Sequence, residues 1–314
     1  MNIRVNEPQL GHRCASDFTP ASAELAARWT RWAALPYPIL IRGERGTGKT
    51  ALAAWIHSRS ARSTGPFVNG SLAQTAKGLE TGDLLGHRKG AFTNAIENRA
   101  GIFERAHGGT AFLDELGRAT PEALNALLGF LDHRRVMPLG ASRELVLDVR
   151  LVAATNANLE ALVGEGLFPA DLLDRFGYYT IEIKPLRERR AEILSLAREL
   201  LDRESRAIGR DQTPILSAPV QRLLLKAPWP GNIRELVKLA EYAAGNSGES
   251  VQPDDLPAAF LASLGVAEVR PEEPLSLRAF RMVEECGGNK TLAARRLGKS
   301  RTHLHRLLKS VASA

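Results

Sequence analysis

The sequence has no long apolar run. No segment approaches the ~18 consecutive apolar residues that a membrane-spanning helix needs, and the first residues, MNIRVNEPQLGHR, contain no apolar signal segment. Cysteine is also scarce: Cys14 and Cys286 lie far apart and form no metal-binding or redox motif. We therefore expect a cytoplasmic protein from a reducing compartment, in which both thiols are inert.

Acidic residues are missing from the C-terminal end of the chain. Residues 286–314 contain seven Lys or Arg and no Asp or Glu, in a chain whose net charge is +7. Apolar residues recur among these cations at helical spacing. The pattern therefore indicates a helical nucleic-acid-binding segment, with a solvated basic tail as the alternative.

Strand-like and helix-like segments alternate along the first part of the chain. The helical patterns at residues 20–35, in ALAAWIHSRSAR and in PEALNALLGFLDHR alternate with the apolar strands in PILIRG, TAFLDEL and ELVLDVRLVAATN. This alternation predicts an α/β domain with a parallel sheet covered on both faces. From Leu186 onward the pattern is helical throughout. The predicted domains are an α/β nucleotide-binding domain (1–185), a helical domain (186–257), a linker (258–274) and a second helical domain (275–314).

The segment GERGTGKT matches the phosphate-loop pattern G-x-x-x-x-G-K-[ST] in full, between a predicted strand and a predicted helix. Its glycines let backbone N–H groups point at phosphate oxygens, and the helix N-terminus adds partial positive charge. We expect Lys49 to reach the β- and γ-phosphates of ATP, and the Thr50 hydroxyl to bind Mg²⁺. The predicted nucleotide-binding residues are Gly43, Glu44, Arg45, Gly46, Thr47, Gly48, Lys49 and Thr50.

Two further polar segments follow predicted strands. Asp114 and Glu115 come directly after the apolar run in GGTAFLDELG, at the carboxyl end of a strand, where ligands bind in open α/β sheets. We expect Asp114 to hold Mg²⁺ and Glu115 to orient or deprotonate the attacking water. Thr155 or Asn156, which end the strand in AATN, could hydrogen-bond the γ-phosphate or that water. For both segments the alternative is an ordinary solvated turn.

These motifs occur in a recognisable order. Over about residues 10–260 the chain contains, in this order, GERGTGKT, GHRKGAFTNA, GGTAFLDELG, AATN, FPADLLDRF, PLRER and WPGNIREL. This series of motifs resembles the ATPase domain of sigma-54-dependent transcriptional activators, which are bacterial AAA+ proteins. GGNKTLAARRLGKSRTHLHRLLK is similar to the Fis-type helix-turn-helix of that family. The resemblance implies a AAA+ P-loop NTPase with a parallel sheet flanked by helices, an α-helical lid and a C-terminal all-α helix-turn-helix domain. It also implies that Arg234, in WPGNIREL, reaches the nucleotide phosphates from the lid; the alternative is a surface helix residue.

The resemblance accounts for an aromatic residue in the polar loop GHRKGAFTNA. In the family this loop touches the sigma factor and is moved by ATP hydrolysis. An exposed Phe92 on such a loop makes sense if a partner buries it, although it could instead pack into its own domain. Asn94 replaces a glycine of the family motif; it could keep the loop shape, since asparagine tolerates positive φ, or its side chain could hinder the sigma contact. The implied sigma-contact residues are Gly90, Ala91, Phe92, Thr93, Asn94 and Ala95.

Two other segments depart from the family pattern. In FPADLLDRF the family has arginines at the second and eighth positions, which are implicated at the γ-phosphate of the neighbouring subunit. Here Pro169 occupies the second position, so Arg175 remains as the candidate arginine finger, a group worth ~10³–10⁵ in rate. The asparagine that restrains Glu115 in the family falls on Ser71, which reaches less far, and Asn69 lies nearby.

The C-terminal basic block has the layout of two short helices on either side of Gly298. Asn289 or Thr291 can cap the first helix and Ser300 the second. We expect cations of the second helix to bind phosphates, and one or two side chains to read base edges, in a dimer on a two-fold site. The predicted DNA-binding residues are Arg301, Thr302, His303, His305 and Arg306.

The sequence supports three functional hypotheses. The first is an activator that binds upstream double-stranded DNA, forms a ring, expected to be a hexamer, and uses ATP and Mg²⁺ to remodel the closed complex of sigma-54 and RNA polymerase. The second is a DNA-binding co-activator or antagonist subunit of a mixed ring, with weak ATPase activity, suggested by Asn94, Pro169 and Ser71. The third is a AAA+ remodeller of another target. Because few residues precede the ATPase domain, we expect control by a separate protein, by expression level or by a partner subunit. We also expect a bacterial cytoplasmic, nucleoid-associated location.

Overall fold

The computed structural model describes residues 23–72, 79–92, 95–265, 275–297, 299, 302–305 and 308. Contacts divide the chain into two units, Met1–Lys184 and Pro185–Ala314. Within the described ranges, no helix is long and apolar enough to cross a membrane.

The first unit is built around a parallel sheet. Its strands are β1 (Ile39–Arg42), β2 (Phe67–Ser71), β3 (Gly86–His87), β4 (Arg99–Ala100), β5 (Thr110–Asp114), β6 (Arg135–Val136), β7 (Leu145–Val146), β8 (Arg150–Thr155) and β9 (Thr180–Glu182). Five of them form the central sheet in the order β2–β5–β8–β1–β9, with every neighbouring pair parallel. The other four form two small antiparallel hairpins, β3–β4 and β6–β7.

Both faces of the central sheet are covered. Successive strand residues point to opposite faces, so Ile41 packs into one core while its neighbour Leu40 packs into another. Phe112 and Leu113 of β5 divide in the same way. Burial on both faces is the physical reason that these strands read as continuous apolar runs. The helices of this unit are α1 (Ala23–Ala34), α2 (Lys49–Ser58), α3 (Glu80–Leu85), α4 (Ile102–Arg105), α5 (Pro121–His133), α6 (Leu159–Gly164) and α7 (Ala170–Phe176).

A buried arginine holds the end of α1. The guanidinium of Arg150, which is 2% exposed, donates hydrogen bonds to the carbonyls of Trp32 (2.8 Å), Ala33 and Tyr37 (3.3 Å). A cation at a helix C-terminus complements the negative end of the helix dipole. Burial, together with the charge of Arg62, lowers the pKa of Arg150 to about 10. The side chain therefore stays charged at neutral pH and ties α1 to the sheet.

The two hairpins contact each other. The Arg88 N–H donates to the Leu139 carbonyl (2.9 Å), and the Leu139 N–H donates to the Gly86 carbonyl (2.9 Å). The loop between β3 and β4, which contains the GAFT segment, is therefore supported at its base by the loop between β6 and β7.

The second unit is mainly helical. Its elements are α8 (Arg190–Ala207), β10 (Ile215–Leu216), α9 (Ala218–Lys226), α10 (Asn232–Asn246), β11 (Ser250–Val251), α11 (Ala258–Ser263), α12 (Leu275–Glu285) and α13 (Lys290–Arg296). We call Pro185–Gly265 the lid and residues 275–308 the C-terminal module. Trp229 is fully buried in the lid core, and its indole N–H donates to the Leu224 carbonyl (2.9 Å). The turn before α10 is thus held by a buried aromatic side chain.

The predicted linker begins too early. Residues 258–263 form α11, and Phe260 and Leu261 are 7% and 3% exposed in the lid core. The Phe260 ring lies 5.4 Å from the Trp229 ring, centroid to centroid. The segment is therefore part of the lid, while residues 266–274 lie outside the described part of the chain.

The C-terminal module has a small core of its own. Ala279 of α12, Ala293 and Ala294 of α13, and Leu304 are buried together. Residues 302–305 are helical, as predicted for the second helix, whereas Gly298 and Ser300 lie outside the described residues.

Candidate nucleotide-hydrolysis site

The phosphate loop connects β1 to α2. Gly46 and Gly48 have φ angles of 77° and 99°, in the left-handed region that favours glycine. Gly48 immediately precedes the first residue of α2. A Cβ atom at Gly43 would lie 2.9 Å from the Ile183 carbonyl oxygen, so a larger residue would displace the backbone there. The loop shape therefore depends on its glycines, as the motif predicts.

Side chains of the loop brace it from within. The Lys49 ammonium donates to the carbonyls of Gly43 (2.9 Å) and Glu44 (3.0 Å), and Lys49 is 7% exposed. The Thr47 hydroxyl also donates to the Glu44 carbonyl (2.9 Å). Thr50 is half-buried in the first turn of α2. The structure therefore brings the predicted phosphate-loop residues into one continuous turn, with the lysine charge inside it.

The acidic pair stands at the carboxyl end of β5, where Asp114 is the last residue of the strand and Glu115 follows it. The Asp114 carboxylate accepts a hydrogen bond from the Glu115 N–H (2.9 Å), and Glu115 has a φ of 59°, which is unusual for a residue other than glycine. Backbone strain of this kind is concentrated at functional sites. The turn fixes the direction in which the Glu115 carboxylate leaves the strand.

Two arginines flank the Glu115 carboxylate. Its Oε1 atom lies 3.7 Å from Arg45 Nε, and its Oε2 atom lies 3.8 Å from Arg118 Nε. Oε2 is buried and makes no hydrogen bond within the described residues. Arg118 is a site residue that the sequence reading missed; its position three residues after Glu115, in the short turn Leu116–Arg118, is the signal that could have shown it.

The end of β8 meets the phosphate loop. The Gly43 N–H donates to the Thr155 carbonyl (3.2 Å), and the Thr155 hydroxyl accepts from the Ala157 N–H (3.0 Å). Thr155 is 1% exposed, whereas Asn156 is exposed. The predicted polar strand end therefore lies at the same sheet edge as the loop, with Asn156 as its accessible side chain.

The pairing of β2 with β5 shows which of Ser71 and Asn69, the two candidates for restraining Glu115, lies nearer to it. Ser71 pairs with Asp114, the residue before Glu115, whereas Asn69 pairs with Phe112, two residues lower on the strand. Ser71 is therefore the residue of β2 nearest to the acidic pair.

The candidate arginine finger is engaged within its own unit. Arg175, on α7, donates from Nε to the Asp132 carboxylate of α5 at 2.6 Å, and the two side chains are 52% and 29% exposed. Pro169 immediately precedes the first residue of α7. Arg234 is exposed on α10, in the second unit.

The GAFT loop presents its phenylalanine. Phe92 is 42% exposed, and its ring lies 4.9 Å from the His87 ring, centroid to centroid. The Gly90 N–H donates to the Ala95 carbonyl (2.8 Å), which closes the loop tip. Ala95 is 6% exposed, so its side chain supports the loop from inside instead of presenting a surface for the predicted sigma contact. Thr93 and Asn94 lie outside the described residues.

One predicted DNA-binding residue is wrong. His303 is 6% exposed, because it lies on the buried side of the short helix 302–305 next to Leu304. Thr302 and His305 are exposed, in agreement with their predicted position. Arg301 and Arg306 lie outside the described part of the chain.

Comparison with known proteins identifies the family of both units. Residues 17–182 match the family model of the sigma-54 interaction domain, and residues 187–270 match that of the AAA+ ATPase lid domain. The Psp operon transcriptional activator of Escherichia coli (strain K12) is 38% identical over 271 residues, 83% of this chain and 83% of the relative. The transcriptional regulatory protein ZraR of Klebsiella oxytoca is 39% identical over 316 residues, 96% of this chain and 71% of the relative.

A solved structure shares the fold. The crystal structure of NtrX from Brucella abortus in complex with ADP is 28% identical, with a TM-score of 0.69 over 93% of this chain and 67% of that one. The chain is therefore a AAA+ ATPase with a lid domain, and it belongs to the family of sigma-54-dependent transcriptional activators.

Proposed function

We propose that this protein is an ATP-driven transcription activator that binds upstream DNA and remodels the closed complex of sigma-54 RNA polymerase. The observation that carries this proposal is the exposed Phe92, on a hairpin of the same unit that contains the phosphate loop. Burial by a binding partner of an aromatic side chain that is 42% exposed is favourable, because it removes apolar surface from water. The protein acts in the cytoplasm as a ring, which we take to be a hexamer.

ATP binds at the phosphate loop in this proposal. Lys49 exchanges its loop carbonyls for the β- and γ-phosphates. Thr50 and Asp114 hold Mg²⁺, and their hydroxyl and carboxylate oxygens suit its preference for hard oxygen ligands. No group of three or more His, Cys, Asp or Glu in the described part of the chain could hold a metal ion alone. An ion held there would neutralise charge on the nucleotide phosphates.

Hydrolysis depends on residues around the strand edge. Oε2 of Glu115, which makes no hydrogen bond within the described residues, accepts one from the attacking water, and Asn156 hydrogen-bonds the γ-phosphate or that water. Arg175 acts on the γ-phosphate held by a neighbouring subunit, and Arg234 acts from the lid. Both arginines stabilise the charge that spreads over the transferring phosphoryl group.

DNA binds at the C-terminal module in this proposal. Thr302 and His305 are exposed on its short helix, and Arg301 and Arg306 add the positive charge that phosphate contacts need. His303 is excluded from the proposed contact set because it is buried.

A second candidate function is a regulatory subunit of a mixed ring, with weak ATPase activity of its own. The observation that favours it is Pro169, which stands at the start of α7 and cannot supply a second cation near the γ-phosphate. The short side chain of Ser71 beside Asp114 favours it as well.

The test is a binding assay with purified sigma-54. We expect a stable complex in the presence of ADP–aluminium fluoride, a mimic of the hydrolysis transition state, and none without it. Phe92→Ala should abolish the complex, whereas Ile96→Ala should retain it. Ile96 is the matched control because it is 78% exposed on the same loop.

The outcomes separate the two candidates. A nucleotide-binding protein that forms no complex with sigma-54 would overturn the stand-alone activator. Rescue of hydrolysis by mixing with a complete relative would then favour the mixed-ring subunit. A complex that survives Phe92→Ala would remove the loop from the proposed contact.

A further inference from the structure

A buried ion pair joins the C-terminal module to the lid. The ammonium of Lys299, three residues after the end of α13, contacts the Asp255 carboxylate and donates to the Asn246 carbonyl (3.2 Å). The side chains of Lys299 and Asp255 are 6% and 3% exposed. Asn246 ends α10, and Asp255 ends the short turn Pro253–Asp255, so both acceptors belong to the lid.

The lid side of this contact suits an ammonium group. One oxygen of Asp255 accepts from the Gln252 N–H (2.9 Å), which leaves the other oxygen to accept from Lys299. The Asn246 carbonyl lies at a helix C-terminus, where the helix dipole favours a cation. On the module side, the Lys299 N–H donates to the Ala294 carbonyl (2.9 Å), which fixes the base of the lysine to α13.

The energetics of the contact differ from those of a surface salt bridge. An exposed pair contributes little to stability, because water screens both charges. A buried pair is costly to break, because removing one partner leaves an uncompensated buried charge. The C-terminal module also has a small core, centred on Ala279, Ala293, Ala294 and Leu304, and such small helical units are marginally stable alone.

We propose that the C-terminal module is docked on the lid through Lys299 and moves with the lid as one body. In the docked state Thr302 and His305 remain exposed, so docking leaves these residues of the proposed DNA-binding helix open. Lys299 is basic and stands beside that helix, but its charge is committed to Asp255 and not to a DNA phosphate. The statement that docking leaves a DNA-binding helix exposed rests on the proposed function, whereas the docking itself does not.

Docking has a consequence for regulation. If DNA and nucleotide each favour one arrangement of the docked body, each ligand changes the affinity for the other by the same factor. A free module on a flexible linker would transmit no such coupling.

The test measures amide hydrogen exchange in the full chain. In Lys299→Met we expect the amides of α12 and α13 to exchange at least about tenfold faster than in the wild type. The amides of α8 should be unchanged, which shows that the lid remains folded. Lys290→Met is the matched control, because Lys290 is an exposed lysine of the same module, and it should exchange like the wild type.

A second variant tests the pair from the lid side. Asp255→Asn keeps an acceptor for the Gln252 N–H but loses the charge, and Asp254→Asn is its exposed control. In the double variant, Lys299→Met with Asp255→Asn, the acceleration should be smaller than the product of the two single effects, because no unpaired charge remains buried.

Two results would overturn the docking. One is exchange in Lys299→Met equal to that in Lys290→Met. The other is multiplication of the two single effects in the double variant, which would mean that the side chains do not interact. Neither readout uses DNA, so a failure of DNA binding would count against the proposed function and leave the docking standing.

Discussion

The Glu115 carboxylate lies 3.7 Å from the guanidinium of Arg45, a residue of the phosphate loop. This contact connects the proposed water-activating group to the loop that binds phosphate. Arg118 approaches the other carboxylate oxygen at 3.8 Å. The candidate base is thus flanked by two cations, both more than half exposed, and one of them, Arg45, belongs to the phosphate loop.

We expect Glu115→Gln to bind ATP with unchanged affinity and to lose hydrolysis by at least ~100-fold. General acid–base catalysis contributes about 10²–10⁴ to a rate, and an amide cannot take a proton from water. The measurement is steady-state ATPase activity together with nucleotide affinity. Glu122→Gln is the control, since Glu122 is an exposed acid on the following helix. Hydrolysis close to the wild-type rate in Glu115→Gln would remove Glu115 from its proposed role.

Arg118→Gln should raise basal hydrolysis, by no more than about fivefold. Arg118 competes with the attacking water for Oε2 of Glu115, but its guanidinium is half exposed and 3.8 Å away, so the pair contributes at most about 1 kcal/mol. We expect kcat to rise with KM for ATP unchanged. The difference from the wild type should shrink at high salt, because exposed charges are screened. A fall in kcat would mean instead that Arg118 positions the carboxylate.

Much of the candidate hydrolysis site can be predicted from the sequence, because each of its motifs is a short continuous segment. The phosphate loop carries its glycines, its lysine and its flanking strand and helix within one segment, and Asp114 and Glu115 directly follow a buried strand. Contacts between distant segments cannot be predicted in this way. Arg45 approaches Glu115, and Asp132 faces Arg175, only because the fold brings separate elements together.

The environment of residues in short helices is also difficult to predict from the sequence. Phe260 and Leu261 pack into the lid core, but α11 is too short for a periodic pattern to stand out beside Gly, Ser, Pro and acidic neighbours. His303 lies on a similarly short helix, where spacing alone does not decide which side is buried. In both cases tertiary packing, and not local composition, determines the environment.

Asp132→Asn should raise ATPase activity at low protein concentration, by up to about fivefold. Arg175 must leave Asp132 to reach a neighbouring subunit, and their contact is a partly exposed pair worth at most about 1 kcal/mol. The measurement is ATPase activity as a function of protein concentration. The matched control is Asp174→Asn, an exposed acid beside Arg175 on α7, which should behave like the wild type.

Arg175→Ala gives the reference for that experiment. We expect it to lose hydrolysis by ~10³-fold or more if Arg175 is the arginine finger. Should Asp132→Asn reduce hydrolysis as Arg175→Ala does, the role of Asp132 would be to orient the arginine, and the proposed competition between subunits would be wrong.

His57 makes the stability of the first unit depend on pH. It is 8% exposed, and its Nδ1 atom lies 2.9 Å from the Thr110 hydroxyl of β5. Burial lowers the pKa of His57, and the charge of Arg150 lowers it further, against the opposing effect of a backbone hydrogen bond with Gly65. The folded state therefore binds a proton less readily than the unfolded state, whose histidine titrates near ~6.5.

Stability should accordingly fall as the pH drops below ~6.5, by at most about 1.4 kcal/mol per pH unit, until the lowered pKa of folded His57 is reached. The measurement is urea-induced unfolding followed by tryptophan fluorescence between pH 5 and 8. His57→Gln should be less stable at neutral pH, because it loses a fitted side chain, and should have a flatter dependence on pH. His133→Gln, at an exposed site, should keep the wild-type slope. If His57→Gln kept the wild-type dependence of stability on pH, the acid sensitivity would have to come from another group, because glutamine does not titrate in this range.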